Sequence, residues 1–301
     1  MMTFTLTPRL QGIAYGLLAA LIWSGHSIAS TLGLNAGLSA YDLTALRILT
    51  NMVIFLPVIL LSKPSQKAGL TLTRGIILAL CAGASFSVVI TSALVFAPVT
   101  HSAAISLGTV PLFAFLLMVI LGRSRLQLYF VLALLLLCGG IILTTVASKQ
   151  PDLSPQYWIG DLLFLSGAIM WASYAVLGRI WNINALLGVA VTNFFSAPYL
   201  VVYFWFLEPG LDKVSILQLL FQILYQGILV GGVALICYIR STALLGVEKG
   251  ALFTALAPVG VILLGSTVLQ YQPVTEEIVG MILVTVGMVT ALLQGKQKLS
   301  D

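Results

Sequence analysis

Arg74 to Leu121 reads RGIILALCAGASFSVVITSALVFAPVTHSAAISLGTVPLFAFLLMVIL, and beyond Arg74 it carries no acidic or basic side chain except His101. A helix rises about 1.5 Å per residue, so roughly 20 apolar residues cross the ~30 Å hydrocarbon core of a bilayer. This stretch is more than twice as long as one crossing needs. It therefore predicts two membrane helices in a tight hairpin, with the turn near Pro98.

The rest of the chain has the same character. Of 301 residues 60% are hydrophobic and 8% charged, and mean hydropathy is +1.10. Ordinary soluble domains are about 45–50% apolar, so a soluble globular protein is excluded. Runs bounded by charges, Pro and Gly predict an all-α polytopic membrane protein. Its spans fall at about 11–32, 42–61, 74–96, 101–121 and 126–146 in a first half, residues 1–150, and at about 158–178, 185–207, 220–244, 250–270 and 276–294 in a second, residues 151–301. The segment Gly246 to Gly250 is expected to turn a second hairpin. The first span follows only Arg9 and has no small-residue cleavage site after it, so it reads as an uncleaved helix.

Cys81, Cys138 and Cys237 all lie inside apolar runs, and no CxxC or Cys/His cluster occurs, so neither a disulfide nor a metal site is expected, and no cofactor. The basic pI of about 9.2 comes from cations scattered singly between apolar runs, which argues against nucleic acid as a partner. Their placement reports topology instead. With the N-terminus inside, Arg9, Lys63, Lys67, Arg74, Arg123, Arg125, Arg179, Lys249, Lys296 and Lys298 face the cytoplasm and only Lys149 and Lys213 face out. The positive-inside rule then puts both termini in the cytoplasm. The chain is expected in the cytoplasmic (inner) membrane, with the lipid bilayer around it, as a monomer or homodimer.

The two halves repeat. Gly12 and Trp23 recur as Gly160 and Trp171, both at an offset of 148, and Ala104 and Pro111 recur as Ala251 and Pro258 at 147. A five-helix unit ends on the side opposite its start, so the second copy is inverted. Inverted repeats are a recurrent design of secondary transporters, in which similar halves exchange conformations around a site near the midplane. Gly12 with Gly16, Gly75 with Ala79 and Gly83, and Gly227 with Gly231 place small groups where helices approach closely.

Trp23-Ser24, Ala45-Leu46-Arg47, the Pro111 and Pro258 helices and Gly246-Val-Glu-Lys-Gly-Ala-Leu-Phe253, on two five-helix halves, resemble the drug/metabolite transporter superfamily, specifically its EamA-type permeases. The resemblance covers nearly the whole chain. It implies a ten-helix carrier that moves small metabolites, often amino acids or related compounds, outward through a cavity lined by spans 1 to 4 and 6 to 9, with spans 5 and 10 peripheral. Arg47 matches the family's arginine, whereas His26 stands where the family more often has Asn.

Candidate substrate-binding residues follow from polarity and symmetry. Trp23 with His26 one turn later, and Trp171 with Tyr174, occupy matching places on spans 1 and 6. Asn51 and Asn193 cost free energy to bury, so they line a cavity or bond across helices. Arg47 and Arg240 either hold a substrate carboxylate, or snorkel, or pair with an acid such as Asp42 or Asp161. Pro111 and Pro258 are expected to bend or unwind spans 4 and 9. The hydroxyls of Ser24, Ser27, Ser85, Ser87 and Thr91 offer hydrogen bonds to substrate or to their own helices.

Competing classes fare less well. HExxH, GxSxG and CxxC are absent, and Asp42 and Asp161 map to outer helix ends, against an intramembrane enzyme. No ring of charges or filter sequence marks a channel. A channel and a lipid- or isoprenoid-type translocase stay open as alternatives to a carrier of a small neutral or zwitterionic metabolite.

Overall fold

The computed structural model describes residues 7–63, 69–123, 128–147, 155–245, 252–270 and 272–294. Lys67, Arg125, Lys149, Asp152, Lys296, Lys298 and the whole expected turn from Gly246 to Gly250, with Glu248 and Lys249, lie outside them. The secondary structure of the described residues is helical, without a strand. The helices are α1 Pro8–Asn35, α2 Ala40–Leu61, α3 Leu72–Phe96, α4 Val99–Ile120, α5 Leu128–Ala147, α6 Tyr157–Ile180, α7 Ala185–Phe206, α8 Ile216–Leu245, α9 Ala257–Val268 and α10 Thr275–Gln294. Seven of these, α1 to α4 and α6 to α8, are long and apolar enough to cross a membrane; Val131–Thr144 in α5 and Phe253–Val268 around α9 are shorter apolar helices.

Local chemistry sets the ends. The hairpin of the Arg74 to Leu121 stretch turns at Ala97, which is extended, and Pro98, whose missing N–H starts α4 at no cost. α1 stops where Gly37 takes φ +108°, letting the Leu38 N–H reach back to the Gly33 carbonyl at 3.0 Å. α2 begins at once with a capping box between Ser39 and Asp42.

Among the described residues four helices are interrupted, α3, α4, α7 and α8, the first three for a visible reason. α3 breaks at Gly83 and α7 at Ser196, where the two cross. There the Ser196 hydroxyl donates to the Thr192 carbonyl at 2.8 Å and accepts the Ala84 N–H at 3.0 Å, so one side chain joins the two breaks and satisfies the amide freed in α3. α4 runs as a π-helix over Ser102–Leu107. That stretch ends at the carbonyl Pro111 cannot bond, and the wider turn makes room for the proline ring. At Pro258 span 9, expected to bend or unwind, changes its winding. The proline sits in the first turn of α9, after a 3₁₀ segment Leu252–Leu256, where an amide would lack a helical partner anyway.

The halves do not pack as separate bodies. α1 lies against α8 and α9, α6 against α3 and α4, α2 against α8, and α7 against α3, so each half's leading helices dock on the other half. Glycines allow the closest approaches. A Cβ on Gly12 would stand 2.6 Å from Leu245 Cγ, and one on Gly160 would stand 2.5 Å from Ala97 Cβ. Both pairs carry the repeat offset (160 − 12 = 148 and 245 − 97 = 148), so the internal similarity holds at the level of a contact. α5 and α10 pair with one another. Their Leu137, Met281, Val284 and Met288 join Ile28, Val99 and Ala103 in a buried apolar cluster.

Candidate functional site

A single cavity brings most of the polar candidates together. It is bordered by Trp23 of α1, Arg47 and Asn51 of α2, Trp171 and Tyr174 of α6, Thr192 and Asn193 of α7, and Val230 and Gly231 of α8, with Ala82 of α3 at its edge. Its volume is about 50 Å³. Helical spacing explains the gathering. Arg47 with Asn51, Trp171 with Tyr174, and Val189 with Thr192 and Asn193 are three or four residues apart, which puts each set on one helix face. The lining comes from α1 to α3 and α6 to α8, a narrower set than the family resemblance implies. α4 and α9 lie behind α1 instead: Ser27 bonds Ser102 of α4 at 2.9 Å, and the Ser24 hydroxyl donates to Ala20 O at 2.7 Å and lies 3.1 Å from Ala257 O.

Aromatic rings form two walls. The Trp23 ring centre lies 5.3 Å from that of Tyr238, and Trp171 is flanked by Phe86 at 5.3 Å and Tyr174 at 5.5 Å. Such tilted contacts fix the indoles while leaving a face toward the cavity. Gly231 is what lets α8 approach α2, since a Cβ there would overlap the Asn51 amide. The 11-residue π-helix Ile223–Val233 carries that glycine.

The polar groups of the cavity are incompletely paired. Asn51 is 2% exposed, and its Oδ1 has no hydrogen-bond partner; neither has Oγ1 of Thr192, at 3% exposure, although the Tyr174 hydroxyl faces it. Asn193 spends its amide on the Val189 carbonyl at 2.9 Å. The half-buried Arg47 forms neither an ion pair nor a hydrogen bond among the described residues. Its expected acidic partner is engaged elsewhere. Asp42 accepts from Tyr203 Oη at 2.5 Å, Gly210 N at 2.9 Å, and Ser39 N and Oγ at 2.7 Å each.

Four candidates stand outside the cavity lining. His26, half-buried one turn after Trp23, is not at the cavity edge. Arg240 is exposed, and Asp161 bonds His101 Nδ1 at 2.7 Å rather than an arginine. Pro111 and Pro258 shape α4 and α9 without reaching the cavity. Thr192 was not singled out by sequence, yet it shares the face of Asn193, so its helical neighbourhood was the available signal. A row of glutamines was also missed. Gln218, Gln222 and Gln226 of α8, spaced by one turn, donate to Leu32 O at 3.3 Å, Ala29 O at 2.8 Å and Ser30 Oγ at 2.9 Å of α1. Of the hydroxyls, Ser85 bonds Leu80 O and Ser87 accepts from Thr44, so both are spent inside the protein.

The sequence pattern of the EamA-like transporter family fits residues 10–146 and, a second time, residues 158–293. The chain belongs to the EamA-like transporter family. Both family repeats therefore contribute walls to the one cavity, and the apolar helices make this EamA-like protein an integral, multi-pass membrane protein of a transporter rather than an enzyme family. No curated protein matches the chain. A crystal structure described simply as that of a protein shares the EamA-like chain's fold, with a TM-score of 0.65 and 20% identity over 96% of this chain and 98% of the other.

Proposed function

We propose that this EamA-like protein is a secondary transporter of ten membrane helices in two inverted halves, both termini cytoplasmic. It moves a small neutral or zwitterionic metabolite, an amino acid or related compound, out across the cytoplasmic (inner) membrane by alternating access. The observation that carries the reading is the cavity built from equivalent helices of both repeats, with the indoles of Trp23 and Trp171 at matching positions. A site on the pseudo-two-fold axis is reached equally well from either side when the halves exchange conformations.

The cavity supports a contracted state within such a cycle. At about 50 Å³ it is far below the roughly 300–1,000 Å³ of sites that enclose a drug-sized ligand, so widening must accompany loading. The breaks at Gly83 and Ser196 and the π-helix in α8 sit beside it, and interrupted helices are where a bundle yields with least loss of hydrogen bonds.

Counterflow in proteoliposomes tests the reading. Wild type preloaded with unlabelled amino acids is expected to accumulate labelled ones saturably, and Trp23→Ala and Trp171→Ala are expected to abolish this. Ohmic current, or no flux of any metabolite with protein that is folded by its melting curve, refutes a carrier.

A further inference from the structure

The Arg47 guanidinium and Asn51 Oδ1 border one small cavity without a hydrogen-bond partner among the described residues, and Thr192 Oγ1, beside the Tyr174 hydroxyl, borders it too. Buried polar groups are nearly always paired, and an orphan costs the full desolvation of the group, so an unpaired set around a space marks a missing partner. The set also has a definite sense. Arg47 is donor-only, a planar fork that matches a carboxylate, and no acidic side chain among the described residues neutralises it. Asn51 Oδ1 is an acceptor without a donor, 2% exposed. Thr192 Oγ1 on the facing helix can give or take a proton.

Resting on the carrier reading, we propose that this cavity binds the head group of an α-substituted carboxylic acid, the carboxylate on Arg47 and the α-amino or α-hydroxyl donor on Asn51 Oδ1, with Thr192 completing the set. The size agrees. A buried water occupies about 10–15 Å³ on this measure, so about 50 Å³ holds a few non-hydrogen atoms, as a head group needs. The substrate's remainder lies along Trp23 and Trp171, where an apolar side chain gains most. A lone arginine also disfavours a phosphate dianion, which is ordinarily held by several donors or cations.

The assignment breaks the symmetry of the repeat. The residue at the repeat offset from Arg47 is Phe195 (195 − 47 = 148), which packs on Gly75 of α3. The carboxylate is thus held by one half only, which gives the bound substrate one orientation on an otherwise two-fold site.

The test is counterflow of labelled amino and 2-hydroxy acids in proteoliposomes, with external competition by matched free acids, their carboxamides and their desamino acids. Free acids are expected to compete roughly ten- to a hundredfold better than carboxamides, the worth of one charge-assisted hydrogen bond. Arg47→Gln is expected to raise the half-saturating concentration by a similar factor while melting like wild type, and Arg47→Lys to recover part of it. Asn51→Leu is expected to erase the preference for amino over desamino acids, a ratio that general damage would leave alone. Carboxamides competing as well as acids, or Arg47→Gln transporting at the wild-type concentration, overturns the head-group assignment and leaves the carrier standing. Counterflow of other metabolites but of no labelled acid overturns the head-group assignment alone, and no flux of any metabolite overturns both.

Discussion

Asp42 offers the sharpest test of the packing. Its carboxylate is 1% exposed and holds together three pieces of chain: Ser39 at the start of α2, Tyr203 near the end of α7, and Gly210 in the loop that follows. Asp42→Ala strips the capping box and leaves the Tyr203 hydroxyl and the Gly210 N–H without an acceptor. The cap contributes about 1 kcal/mol, and each of the two orphaned donors costs about 1–3 kcal/mol, so a total near 3–7 kcal/mol is expected. For a chain of this size that is roughly 6–14 °C of melting temperature, at about 2 °C per kcal/mol. Asp42→Asn keeps one acceptor oxygen and should lose about 1–2 kcal/mol, as should Tyr203→Phe. Because the two side chains share one bond, Asp42→Ala with Tyr203→Phe should fall short of the sum of the single changes by about 1–2 kcal/mol. Melting of the purified variants in detergent, followed by tryptophan fluorescence, measures all four. Asp42→Ala melting within about 1 °C of wild type, or strict additivity in the double variant, would show that this network does not tie α2 to α7.

Three further outcomes are expected. Gly231→Ala should drive a methyl into the Asn51 amide and lower counterflow by roughly tenfold or more, about 1.4 kcal/mol, which transport assays read directly. Gly12→Val and Gly160→Val, at equivalent contacts with Leu245 and Ala97, should each destabilise by about 1–3 kcal/mol through overpacking, and melting curves in which only one of them matters would contradict the contact-level repeat. In a cysteine-free background a membrane-impermeant thiol reagent on intact cells should label a cysteine at Asp212 and spare one at Arg123 until the cells are opened; the reverse pattern inverts the topology.

The helical hairpin around Pro98 was legible because an uncharged run of that length has no other stable arrangement in a bilayer, and the repeat because glycine and tryptophan positions survive in both halves. The faces of α2, α6 and α7 were legible too, since Arg47 with Asn51 and Trp171 with Tyr174 obey helical spacing. What escaped depends on which helix meets which. Gln222 and Gln226 look like ordinary polar residues until α1 lies alongside with a carbonyl and a hydroxyl to receive them. Asp161 was read as a possible partner for an arginine, but the hairpin at Pro98 carries His101 to it first. The π-helices have no marker in side-chain periodicity, and only Pro111 hinted at the first of them. Pro258 shows the converse: its presence signalled a break, and only the 3₁₀ segment before it revealed that the break is a helix start.

The docking of each half's leading helices on the other half has a consequence for biogenesis. Ser24 of α1 meets Ala257, 233 residues further along, and ribosomes add about 5–20 residues per second, so α1 waits in the bilayer for roughly 10–50 seconds before its final neighbour exists. During that interval its glycine and serine seam faces lipid or a provisional companion. A nascent chain arrested after α5 is a product without its own interior, and the two halves supplied as separate polypeptides should assemble only when both are made together.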